Sequence, residues 1–140
     1  IYYFNKKNKA WYFMPTTFSK DKNVFKTSVL SGEIFALIKE TNPPEINSVS
    51  PYFGKTLNPN LNNKLSFKIK DDLSGIDGET DVEVKINNKV VIHEYNSYRR
   101  EIIYELNEQL VSGNNSVEIT VNDRAGNSSK IEGKWKIKKN

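Results

Sequence analysis

The chain has 140 residues with a net charge of +4, and aromatics make up 11% of it, enough for one packed core and too rich for wholesale disorder. With no Cys and a single His it has neither disulfide and thiol chemistry nor the material for a histidine-rich metal site. The charge is uneven: residues 1–41 hold seven Lys against three acids, whereas residues 42–140 hold fourteen basic and fourteen acidic residues, which argues against a nucleic-acid-binding face on the larger part.

The chain opens on Ile1-Tyr2-Tyr3-Phe4, without Met or a signal-peptide pattern, and reads as a piece of something longer. No run is long and apolar enough to span a bilayer as a helix. Three short β-prone runs follow, at Ala10–Pro15, Val24–Leu30 and Ile34–Ile38, separated by Asn/Lys/Asp stretches and by Ser31-Gly32. Pro43-Pro44 then restrains the chain and removes two amide donors. The expected organisation is a β-rich segment over 1–41 that completes or docks onto an adjoining domain, a junction at 42–45 and a sandwich over 46–140.

Past the junction, Ile46–Val49 predicts a first strand, punctuated by Ser50-Pro51 and Gly54, and the Asn-rich stretch 58–63 predicts a polar loop. Leu65, Phe67 and Ile69 alternate with Ser66, Lys68 and Lys70, the signature of a half-buried strand. Val82, Val84 and Ile86 alternate likewise before Asn87-Asn88, a pair that tolerates the positive φ of a tight hairpin. Ile102, Tyr104 and Leu106 suggest another strand, although Ile103, Leu106 and Leu110 also have helical spacing, with one turn near 107–110 as the helical alternative. Gly113-Asn114-Asn115 reads as a turn before the strand of Val117, Ile119 and Val121, and Ile131, Trp135 and Ile137 close the pattern. Seven short strands joined by polar turns predict an all-β, antiparallel, immunoglobulin-like β-sandwich.

Two acidic, glycine-containing turns stand out. Asp71-Asp72-Leu73-Ser74-Gly75-Ile76-Asp77 and Asp123-Arg124-Ala125-Gly126-Asn127 each follow an alternating strand, and in such a topology they lie at one end of the sandwich. Asp71, Asp72, Asp77, Asp123 and Asn127 offer the oxygen ligands that calcium selects. The competing expectation is ordinary turn structure, with Asp123 and one of Asp71 or Asp72 accepting backbone amides.

With Gly113 to Asn127 included, these strings resemble bacterial immunoglobulin-like or fibronectin-type-III-like accessory domains, of the kind found beside extracellular hydrolases such as lysostaphin-like zinc metallopeptidases. The likeness covers about residues 32–138. It implies a noncatalytic extracellular, periplasmic or cell-surface accessory, spacer or interaction module that positions a neighbouring domain. A peptidase of that type needs His and Asp ligands for zinc, and His93 stands alone.

Two alternatives stay open. A carbohydrate or cell-wall glycan module would use Trp11, Tyr12, Tyr95 and Tyr98 as an aromatic platform, and a calcium-stabilised adhesion module would use the acidic turns. No catalytic residue is expected: Ser74, Ser97 and Ser112 lack a His and Asp arrangement, and Gly75-Ile76-Asp77-Gly78 lacks the spacing of a phosphate cradle.

Overall fold

The computed structural model describes residues 1–58, 61, 64–106 and 110–138. All its strands but one short pair are antiparallel, and they form several sheets. The core lies between two of them. One sheet orders β10 (Lys89–Val90), β9 (Val82–Ile86), β13 (Gly113–Asn122), β14 (Ser128–Ile137) and β7 (Thr56–Leu57). The other orders β11 (Glu94–Asn96), β12 (Glu101–Glu105), β8 (Lys64–Lys70) and β6 (Glu45–Ser50).

Alternation explains why these sheets face each other. A period-two pattern sends every second side chain to one face, so Leu65, Phe67 and Ile69 from β8 meet Val82, Val84, Ile86, Val117, Ile119 and Val121 from the opposing layer. All nine are buried, none more than 6% exposed. Register sharpens the packing within the layer, where Val84 lies opposite Ile119 and Ile86 opposite Val117. Each such side chain contributes about 1.5–3 kcal/mol when fully removed from water. Asn87 and Asn88 close the β9–β10 hairpin at φ 52 and 65, the positive values that the tight turn requires.

Trp135 anchors the edge of this core. Its indole Nε1 donates to the carbonyls of Pro51 and Tyr52 at 3.1 and 3.2 Å, and its ring lies 5.9 Å from that of Phe53. Phe53 in turn covers Gly133 so closely that a methyl group there would collide with the ring. Here a glycine is needed for approach rather than for φ.

Several expectations need correction. Residues 101–105 are a strand, with Ile102 buried opposite Phe67; the alternative turn near 107–110 lies outside the described residues but for Leu110, as does most of the 58–63 loop. Gly113–Asn115 is the start of β13 and not a turn. The buried Asn115 amide explains this: it donates to the carbonyls of Val111 and Gly113 and accepts from the Val111 amide and the Asn87 side chain, which satisfies a polar group inside the strand. β7 and β11 have no counterpart among the expected strands, being two and three residues long.

The amino-terminal part holds five strands where three were expected. β1 (Tyr2–Asn5) lies between β2 (Ala10–Phe13) and β5 (Ile34–Ala36), while among the described residues β3 (Thr17–Ser19) and β4 (Val24–Lys26) pair only with each other. Aromatic pairs hold the first sheet: Tyr3 stacks on Tyr12 at 5.4 Å and Phe4 meets Trp11 at 5.2 Å. Tyr2 is the side chain of this part that is fully buried.

Candidate functional site

The two acidic turns meet at one end of the sandwich. The Arg124 amide donates to the Gly75 carbonyl at 3.0 Å and the Ala125 amide to the Ser74 hydroxyl at 3.3 Å, so the turn after β8 and the turn after β13 are joined directly. Ser74 is buried by this contact. The Arg124 guanidinium closes over it onto the Asp77 carboxylate.

Within each turn a carboxylate binds its own backbone. Asp71 Oδ2 accepts the amides of Leu73 and Gly75 at 3.1 and 2.6 Å. Asp123 Oδ1 accepts the Asn127 amide and its Oδ2 the Asn127 side-chain amide, both at 2.8 Å, while Gly126 takes φ 93 to complete the turn. Asp123 is only 4% exposed, and these donors supply the hydrogen bonds that its buried oxygens need.

A third carboxylate arrives from the amino-terminal side. Glu40, just before the Pro43-Pro44 step, accepts the Tyr2 hydroxyl at 3.1 Å and the Ser74 amide at 3.1 and 3.4 Å. Carboxylate oxygens of Glu40, Asp71 and Asp123 lie within 4.8 Å of one another. No ion pair among the described residues reaches any of the three. Burial raises the Tyr2 phenol above its ordinary pKa, and the hydrogen bond to Glu40 and the negative charges of Glu40, Asp123 and Asp71 raise it further.

Of the five oxygen donors read from the sequence, the structure brings Asp71 and Asp123 together and directs the others elsewhere. Asp72 pairs with Lys70 at 2.6 Å, Asp77 pairs with Arg124, and Asn127 serves as a donor to Asp123. Sequence reasoning missed Glu40, which carries no motif; only its position beside the proline step hinted at a role. As for catalysis, the site spends its polar groups on structure. Both oxygens of Asp123 are occupied by Asn127, and Ser74 faces a backbone amide instead of a base, so neither two-carboxylate hydrolysis nor a nucleophilic serine is assembled here.

The four aromatics considered as a platform fall into two places. Trp11 and Tyr12 point to opposite faces of β2, Tyr12 stacked on Tyr3 and Trp11 tilted against Phe4. Tyr95 packs against the sandwich core, whereas Tyr98 is 95% exposed; the two line one shallow hollow with Glu94 and Asn96. Both ring nitrogens of His93 are buried without a hydrogen-bond partner among the described residues.

No protein-family model matches the chain, and no curated protein matches it. Among solved structures the fold is similar to CopC from Methylosinus trichosporium OB3b, with a TM-score of 0.52 and 14% identity over 68% of this chain and 93% of that one. That likeness concerns the fold alone. It corrects the resemblance drawn from the turn motifs: a solved structure of similar fold is a CopC, and no match to an immunoglobulin-like or fibronectin-type-III-like family model accompanies it. The misreading has a physical source, since an acidic Gly turn closing a strand is a solution to chain reversal that unrelated sandwiches share. The fold that this likeness supports is a small, all-β, mostly antiparallel sandwich, and the acidic cluster lies at one end of it.

Proposed function

We propose that the chain is a noncatalytic β-sandwich module of an extracellular, periplasmic or cell-surface protein, and that its role is positional. The observation that carries this reading is the Glu40 carboxylate, which ties Tyr2 of β1 to Ser74 of the sandwich end. One half-buried carboxylate thereby links the segment 1–41 to the body over 46–140, across a junction at 42–45 whose two prolines already limit the chain. Restricting the angle between neighbouring units lowers the conformational cost when the whole protein meets its target. The strand order, with four strands in one layer and the hairpin strands β13 and β14 beside β9 in the other, supports an immunoglobulin-like reading of the topology.

The chain has no cysteine, so spin labels at Lys7→Cys and Ser128→Cys report on the joint. A narrow distance distribution that broadens in Glu40→Ala is expected. Equal widths in both proteins would refute the positional role of Glu40.

A cation-stabilised joint is the second reading, favoured by three converging carboxylates without a cationic partner. A hard, oxygen-seeking ion, calcium among them, suits such donors. After chelator treatment, thermal unfolding with calcium, magnesium, manganese or zinc would show a rise that Asp71→Asn abolishes. No rise with any of them would remove the ion and leave the hydrogen-bonded joint.

A further inference from the structure

The β3–β4 hairpin carries interface chemistry that the joint does not use. Among the described residues its two strands pair only with each other, and an isolated hairpin is only marginally stable in water. Phe18 stands opposite Phe25 on one of its faces, with ring centroids 4.6 Å apart and each residue 46% exposed. Leu30, just beyond the hairpin, is fully exposed.

Lysines occupy the exposed turns of this part. Lys20 and Lys22 lie in the turn that closes the hairpin, and Lys6, Lys7 and Lys9 lie in the turn between β1 and β2, all exposed. Among the described residues no ion pair involves a lysine of residues 1–41, whereas Lys64, Lys70, Lys85 and Lys130 of the sandwich each have a carboxylate partner. Asp21 sits between Lys20 and Lys22, yet with seven lysines against three acids residues 1–41 keep a net positive charge.

Exposed phenyl rings beside unpaired ammonium groups fit a surface that offers anionic headgroups with hydrocarbon beneath them. A soluble polyanion would satisfy the lysines and leave the rings wet, and a second copy would set like charge against like. We propose that the β3–β4 hairpin docks on an anionic lipid bilayer, with Phe18 and Phe25 entering the headgroup region and Lys20 and Lys22 held by lipid phosphates. The contact is peripheral, since no helix among the described residues is long and apolar enough to cross a membrane. It is independent of the Glu40 joint.

Sedimentation of the full chain with vesicles of phosphatidylglycerol and phosphatidylcholine tests this, with pure phosphatidylcholine vesicles and inorganic polyphosphate as the comparison probes. The expected result is partitioning onto the anionic vesicles alone, weakened by salt. Lys20→Gln/Lys22→Gln should reduce it on the order of 25-fold, at roughly 1 kcal/mol per lysine. Phe18→Ser/Phe25→Ser should also reduce it, while Phe18→Leu/Phe25→Leu, which keeps the apolar surface, should retain it. Thermal unfolding of the sandwich, unchanged in these variants, would show that the body stays folded. Absence of partitioning, equal partitioning onto pure phosphatidylcholine, or binding to polyphosphate and vesicles alike that ignores the Phe→Ser changes would overturn the proposal.

Discussion

The Tyr2 hydroxyl donates to the Glu40 carboxylate at 3.1 Å across 38 residues of chain, and the same carboxylate accepts the Ser74 amide. Removing the carboxylate leaves a buried phenol and a buried amide without an acceptor. Glu40→Ala should therefore cost about 1–3 kcal/mol, the usual penalty for stranded polar groups. Chemical denaturation would measure it, and hydrogen exchange should locate faster opening at the Ser74 amide. Glu40→Gln, which keeps one acceptor oxygen, should lose less.

The raised pKa of Tyr2 sets an alkaline limit on the joint. In the unfolded chain the phenol ionises near pH 10, roughly its ordinary value, while in the folded chain it stays protonated to higher pH. Stability tied to the protonated phenol is thus fully present below about pH 10 and is lost as pH rises from there through the folded pKa. Tyr2→Phe, less stable by about 0.5–1.5 kcal/mol at pH 8 through the lost hydrogen bond, should close that gap above pH 10. Melting temperatures of both proteins from pH 8 to 11 would show whether the curves converge.

Asp123 holds the second turn together through both of its oxygens. Asp123→Ala strands the half-buried Asn127 amide and should cost about 1–3 kcal/mol. Asp123→Asn keeps an acceptor and should cost less. A ranking in which both variants match the wild type in thermal unfolding would mean that the Asn127 contacts contribute nothing.

Gly133 and Phe53 are in closer contact than any side chain would allow. Gly133→Ala should force the Phe53 ring away from Trp135 and destabilise the sandwich by about 1–3 kcal/mol. Gly133→Ala/Phe53→Leu should recover part of the loss, and the double-mutant cycle in urea measures the coupling.

Strand alternation made the sandwich core legible, because a period of two has one consequence for which side chains are buried. Leu65, Phe67 and Ile69, and the two triplets facing them, could be placed inward from residue types alone. The Asn87-Asn88 hairpin and the burial of Trp135 were readable for similarly local reasons. Short strands such as Thr56–Leu57 were not, since two residues have no period. Gly113–Asn115 looked like a turn because its amide-rich composition suits one; the Asn115 network that makes it a strand depends on Asn87, far along the chain. The site divides in the same way. Asp71 and Asp123 follow strands and announced themselves, whereas Glu40 becomes significant only when the fold brings it to Tyr2 and Ser74. Asp72 and Asp77 share the motif's composition but are drawn off by Lys70 and Arg124, partners that no spacing rule specifies.

Amide residual dipolar couplings in a weakly aligned sample test the joint most directly. Couplings from residues in β1, β2 and β5 and couplings from the sandwich strands should fit one common alignment tensor in the wild-type chain, and should require two in Glu40→Ala. Two different tensors in the wild-type chain would contradict the account, because the carboxylate would then be failing to hold the two parts at a fixed angle.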